Sequence, residues 1–302
     1  MVKLPNKQLS RCNLCGGGKF KLVKSFLRDD QAKFKVYDCQ QCGHVQLLPK
    51  PTAEDDKEFY DQNQQDKNRG KEIDYEKLAA NQRFDTDRHV ALIRKLFPRK
   101  VSVLDIGAGY GFFVAALHDA GFKRVKGIEI SRERRTIAQA HTPAQILEHD
   151  VAAGAEIIGR YDVATLFHVL EHTTDPIAFL KQIKTLLKPK GTFICEVPNV
   201  SDQLLANSRE YHDFYWIRAH LNYFSGQTLK RAFTAAGFKK IKLVYAQRYG
   251  LLNLSNWLLY GKPQIERPVF EINRDYAAVD DYYRELLERK GRSDALLAIA
   301  QA

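Results

Sequence analysis

The run FHVLEH (167–172) carries His168, Glu171 and His172 in the order H-x-x-E-H, the inverted form of the zinc-peptidase motif. Two imidazoles beside a carboxylate suit either metal binding or proton transfer near neutral pH. Peptidase chemistry requires the motif within one continuous helix. Here the apolar run VATLF leads into His168, and Thr173 to Pro176 bring a turn and a new helix start. The motif therefore lies at the mouth of a strand, and the protease reading fails.

Four of the five cysteines form two C-x-x-C pairs, CNLCG (Cys12, Cys15) and CQQCG (Cys39, Cys42). Each pair can clamp one edge of a tetrahedral Zn²⁺ site, and four thiolates leave no position open for water, so the expected ion is structural. The glycine after each pair permits the left-handed backbone that turns amides toward sulfur. His44 follows the second pair and is an alternative ligand that four thiolates make unnecessary. Cys195, alone in TFICEV, reads as an inert strand residue.

A third cluster lies in VSVLDIGAGYGFFVAAL, where Asp105 precedes Gly107, Gly109 and Gly111. Glycines there let a ligand approach the backbone, and the helix that follows offers unpaired amides. The G-x-G-x-G spacing differs from the G-x-G-x-x-G of dinucleotide folds. A carboxylate at 105 would repel a pyrophosphate but suits a cationic amino group or a sugar hydroxyl. Glu129, ending KRVKGIEI, stands where an acid hydrogen-bonds the two hydroxyls of a ribose.

The elements that position these groups alternate. After VSVLDI and a helix stopping at Gly121 come the strand ending in Glu129, a helix from Arg132 to Ala140, the strand QILEHD ending in Asp150, and the strand YDVATLF. A helix begun by Asp175-Pro176 and the strand GTFICEVPN after the KPKG turn complete the series. Such alternation predicts a doubly wound, mostly parallel sheet with ligands at the carboxyl ends of its strands. Alternating short strands between the cysteine pairs predict a small ribbon over residues 1–50, whose folding energy the metal would supply. Residues 51–100 read as a polar linker and a helical connector, 101–250 as the main domain, and 251–302 as a C-terminal helical extension with an amphipathic tail.

Residues 101–247 resemble the class I S-adenosylmethionine-dependent methyltransferases through DIGAGYG, GIE, HD, FHVLEH, LLKPKGTFICEVPN and HLNYFSGQTLKRAFTAAGF. The resemblance implies S-adenosylmethionine as cofactor, with Asp105 and the glycines on its methionine part, Glu129 on the ribose and Asp150 on the adenine. It adds Phe167 at the mouth of the fourth strand, and Tyr60, which in relatives reaches over the cofactor. The segment IRAHLNYFSGQTL resembles the stretch that closes over substrate in zinc-bearing sugar C-methyltransferases. His220, Tyr223, Phe224 and Ser225 are kept, but Ala219 stands where that group has glutamate. His172 is read as a catalytic or acceptor-contacting residue. His168 either joins it or lies beneath the cofactor, and His220 either faces the substrate or is a packing histidine.

Lysine and arginine number 47 against 36 acids, a net charge of +11, which suits a phosphate-bearing small molecule or nucleic acid but is scattered along the chain. A tRNA or rRNA methyltransferase gripping RNA through the ribbon is the first rival, and a non-catalytic cofactor-binding protein the second. The sequence lacks an N-P-P-Y-type base-binding motif and an obvious aromatic stacking row. No apolar run has membrane-spanning or signal-peptide length, so a cytoplasmic protein is expected. NLSNWLLYG is an apolar patch that fits either a substrate-side helix or a homodimer contact.

Overall fold

In the computed structural model, which describes residues 11–29, 33–52, 54–56, 74–263 and 274–302, Cys12 and Cys15 lie in a turn ahead of three antiparallel strands, and Cys39 and Cys42 at the turn between the second and third. These are β1 (Phe20–Lys24), β2 (Lys35–Cys39) and β3 (Val45–Leu48). A long helix, α1 (Tyr75–Leu96), follows; the Asp74 side chain caps it by accepting from the Lys77 amide, and Pro98 lies just past its end.

The alternating series then runs β4 (Val103–Ile106), α2 (Phe112–Asp119), β5 (Val125–Ile128), α3 (Arg132–His141), β6 (Gln145–Leu147), α4 (Gly154–Ile158) and β7 (Tyr161–Phe167). It continues with α5 (Pro176–Thr185), β8 (Leu187–Pro198), α6 (Gln203–Asn207), α7 (Arg209–Tyr215), β9 (Asn222–Tyr223) and α8 (Gly226–Ala235). The chain closes with β10 (Lys239–Ala246), α9 (Leu251–Tyr260), α10 (Ala277–Arg289) and β11 (Ala295–Gln301). Seven strands form one sheet in the order β10-β11-β8-β7-β4-β5-β6, and only β11 runs against the others. This is the α/β, Rossmann-like architecture expected from the alternation.

Register decides what meets at the carboxyl edge. Asp105 of β4 lies opposite Thr165 of β7, and Phe167 lies opposite Glu196 of β8. Both faces of the sheet are covered by apolar side chains; Leu229, Ala232 and Phe233 of α8, for example, pack with Phe193 and Phe238. Burying one Leu or Phe stabilises by roughly 1.5–3 kcal/mol, so α8 is held chiefly by this face. Its start is fixed by reciprocal capping between Ser225 and Thr228.

Two expectations need correction. The tail is not helical throughout: α10 stops before Gly291, whose φ of +65° ends the helix, and ALLAIAQ then enters the sheet as β11 between β8 and β10. Ala295–Gln301 therefore belong to the main sheet and not to a helical extension. Nor is β6 long enough to carry Asp150 at its end; Asp150 lies past it and is exposed.

The ribbon does not stand apart. β9 adds to it as a fourth strand against β3, and the Leu47 amide donates to the Leu221 carbonyl at 3.0 Å. Leu27, Phe34, Val36 and Leu47 share a buried cluster with Trp216, Leu221 and Tyr223. The same segment thus holds the ribbon on one side and offers His220 on the other. Among the described residues, no helix is long and apolar enough to cross a membrane.

Candidate active site

At the end of β4 the backbone turns through Gly107, Gly109 and Gly111, all with positive φ. A Cβ on Gly107 would stand 2.7 Å from the Val169 side chain, so the loop tolerates no other residue there without displacement. Asp105 is buried, accepts from the Thr165 hydroxyl at 2.6 Å, and is pushed up to about 7 by burial and by the nearby charge of Glu129. Glu129 is also buried; its two oxygens accept from the Gly109 amide at 2.9 Å and the Ser131 amide at 2.8 Å. The two predicted acids therefore lie on one cradle, and Glu129 fixes the shape of the glycine loop. Asp150 caps a short 3₁₀ turn through the Ala152 amide at 2.8 Å. Tyr60 lies outside the described residues.

Phe167 stacks on His89 of α1, with ring centroids 3.7 Å apart and planes 2° from parallel, and meets Phe113 edge-on at 5.1 Å. Beside it lies an ion network that sequence reading missed. Fully buried Glu196 takes both guanidinium arms of Arg88 at 2.7 Å, with His89 at 3.2 Å and His168 at 3.1 Å. Arg248 bonds Asp294 at 3.2 Å and approaches Asp85 at 3.5 Å. The missed signal is Asp85, Arg88 and His89, spaced three and four apart on one side of an amphipathic helix.

His168 has φ +56°, a conformation uncommon outside glycine that aims its ring into this network. Burial disfavours its charge, but Glu171 and Glu196 outweigh that and raise it to about 9, so it is a cation at neutral pH. Of the two roles open to it, the geometry gives a charged partner of Glu196 and Glu171.

His172 and His220 come together. A 3₁₀ turn over Leu170–His172 is stitched to the 219–222 segment: the Leu221 amide donates to the Glu171 carbonyl at 2.8 Å, and Asn222 Nδ2 to the Thr173 carbonyl at 2.6 Å. His172 Nδ1 lies 2.7 Å from the Ala219 carbonyl and donates to it, which leaves Nε2 with a lone pair. The two imidazoles lie 5.0 Å apart. Burial pushes His220 down to about 4, so it is neutral. Glu171, which the sequence offered only as part of a discarded motif, is 1% exposed and belongs to the same group.

The four cysteines converge as expected, with Sγ–Sγ separations of 3.5 Å (Cys12–Cys42) and 3.6 Å (Cys15–Cys39). Gly16 and Gly43 both have φ of +71°, and the Leu14 and Gly17 amides point at Cys12 and Cys15 sulfurs at 3.4 Å. His44 is buried against Asn222 at 3.1 Å, and Cys195 is buried in β8. A groove of about 590 Å³ lined by Phe26, Arg28, Phe214 and Trp257 contains none of these groups.

The model of a family described as "Methyltransferase domain" matches residues 71–243, more than half of the chain. The chain belongs to this family. Residues 71–243 are thus a methyltransferase domain. The chain is similar to a ubiquinone biosynthesis O-methyltransferase of Stutzerimonas stutzeri, 32% identical over 111 residues, which are 35% of this chain and 45% of that one. With the enzyme of the same name from Ralstonia nicotianae it shares 35% identity over 99 residues, 30% of this chain and 40% of that one. The match thus spans less than half the length of these relatives. Among solved structures it is similar in fold to a chain of the complex between the Haloferax volcanii Trm112 methyltransferase activator and a methyltransferase. The TM-score is 0.50 at 24% identity, covering 76% of this chain and 95% of that one.

Proposed function

We propose that this protein methylates a small, hydrophilic acceptor held against Glu171, His172 and His220, and that its ribbon carries a structural zinc ion. The observation that supports the acceptor side most is the set of buried polar atoms there without hydrogen-bond partners: both oxygens of Glu171, His220 Nδ1, Tyr215 OH and Asp202 Oδ2. Such atoms are costly when left unmet, so a polar ligand is the natural partner. Burial and the neighbouring Asp294 charge push Asp202 up to about 7, and Tyr215 feels the charges of both Asp202 and Glu171.

S-adenosylmethionine would supply an electrophilic methyl group. Asp105 would face its cationic amino group, Glu129 the ribose, Asp150 the adenine and Phe167 the mouth between cofactor and acceptor. Gly107, Gly109 and Gly111 keep the loop free of side chains. Aligning the acceptor and taking up its proton remain for the protein, and the neutral imidazole of His220 and the Nε2 lone pair of His172 suit that task. His168 holds Glu171 and Glu196 in place. The sugar C-methyltransferases that this segment resembles have glutamate where Ala219 stands, and Glu171 brings a carboxylate to the histidine pair here.

For the ribbon, a tetrahedral ion with bonds of about 2.3 Å to sulfur sets its ligands roughly 3.8 Å apart, close to the observed separations. Desolvation raises the Cys12 and Cys42 thiols, the latter to about 11, so without a metal the cluster is poorly suited to hold thiolates and a bound ion would reverse this.

The test is product formation: incubation with methyl-labelled cofactor and panels of hydroxylated or aminated acceptors. Label transferred by the wild type and lost at least a hundredfold in the His172→Ala, His220→Ala double variant supports the reading. Equal transfer by that variant contradicts it.

A further inference from the structure

We infer that Glu171, His172 and His220 hold a divalent transition-metal ion at the acceptor face. The inference rests on the reading of this face as the acceptor side and assigns to the ion what was there left to the histidines. Each of the three residues offers one ligand atom, and these atoms lie within 4.8 Å of one another. They come from two segments that backbone hydrogen bonds clamp together, so the geometry is set by the fold.

Three further features point to an ion. Glu171 is 1% exposed, and neither oxygen has a hydrogen-bond partner; Oε1 lies 3.6 Å from the His168 ring. His172 donates Nδ1–H to a backbone carbonyl at 2.7 Å, the outer contact that fixes the tautomer of metal-bound histidines and leaves Nε2 to ligate. His220 Nδ1 is buried and unpartnered. His168, on the far side of Glu171, orients the carboxylate in the same outer role. Two imidazoles and one carboxylate favour zinc, iron, cobalt or nickel over magnesium or calcium. His172 and His220 remain partly accessible, so an acceptor oxygen can complete the coordination and have its pKa lowered there.

The cluster of Asp85, His89 and Glu196 is not a second such site. Arg88 already occupies Glu196 with both arms, and a guanidinium excludes a cation from that position.

The experiment is a titration of the full chain, its ribbon already zinc-loaded, with Zn²⁺ by calorimetry and with Co²⁺ by visible absorption. One additional ion per chain is expected, with the weak absorption bands of nitrogen and oxygen ligation and not the intense bands of thiolate. Glu171→Gln, His172→Ala and His220→Ala should each weaken it at least tenfold with unchanged circular dichroism. Absence of a second ion in the wild type at millimolar metal, or equal binding by all three variants, overturns the inference. Label transfer by the metal-free wild type would separate this failure from that of the acceptor reading, which would then stand on histidine alone.

Discussion

The two halves of the sheet's mouth treat their buried carboxylates differently. On the cofactor half, Glu129 gives both oxygens to backbone amides, Asp105 holds the Thr165 hydroxyl, and Glu196 is saturated by Arg88, His89 and His168. On the acceptor half, Glu171, Asp202, Tyr215 and His220 keep atoms with no hydrogen-bond partner. Each such atom costs about 1–3 kcal/mol if it stays unmet. The first half is thus shaped by the chain's own groups, whereas the second, on the acceptor reading proposed above, would be completed by a ligand.

The largest effect that would break this comparison is expected outside both halves. Structural zinc in small domains carries about 10–16 kcal/mol of apparent binding energy at pH 7. Replacing Cys12 and Cys39 with serine should remove the ion and loosen β9 along with the ribbon, because β9 pairs with β3. Elemental analysis should find the ribbon ion gone, and the melting temperature should fall by about 10 °C or more. An unchanged melt without metal would show that the ribbon folds unaided.

Next in size is Glu196→Gln. It would leave Arg88 and His168 buried without their charge partner, a loss of roughly 3–5 kcal/mol by analogy with broken buried pairs. Denaturant unfolding measures it, and a change below about 1 kcal/mol would mean that the network is not what holds α1 on the sheet. Asp105→Ala should weaken cofactor binding by about 30- to 100-fold, or roughly 2–3 kcal/mol, as expected for one charge-assisted contact. Calorimetry with S-adenosylhomocysteine checks it.

The smallest effect sharpens the same point through pH. Burial pushes Asp105 up from the usual 3.8 to about 7. Its folded pKa is raised, so its contribution to apo stability is full below pH 3.8 and is lost as pH rises through 7. Cofactor binding has the opposite sign, since only the carboxylate attracts a cationic amino group. Affinity should rise roughly tenfold between pH 6 and 8 and then level off, a trend absent from Asp105→Asn.

What the sequence made legible follows the range of the interaction. The cysteine pairs, the glycine loop with Asp105, and Glu129 are local patterns, and the structure brings the cysteines together and sets Asp105 and Glu129 on one loop, whereas Asp150 lies past its strand. β11 was hidden because ALLAIAQ is rich in Ala and Leu, carries one β-branched residue, and is short enough for either a strand or a helix segment. Only its place between β8 and β10 decides. The network around Glu196 joins residues from α1, from β8 and from just beyond the ends of β7, β10 and β11, and no single window contains it. Glu171 was visible as a letter in H-x-x-E-H, but its lack of hydrogen-bond partners is a property of three dimensions. The role of His168 likewise turned on a positive φ that no spacing rule announces.

The central claim is that cofactor and acceptor halves are separable, and its most direct test is titration of S-adenosylhomocysteine into the wild type, Asp105→Ala and the His172→Ala, His220→Ala double variant. One molecule should bind per wild-type chain, binding should collapse in Asp105→Ala, and the double variant should bind within about twofold of wild type, far less than the 1.4 kcal/mol that a tenfold loss represents. No binding to the wild type, or equal losses in both variants, would contradict the division.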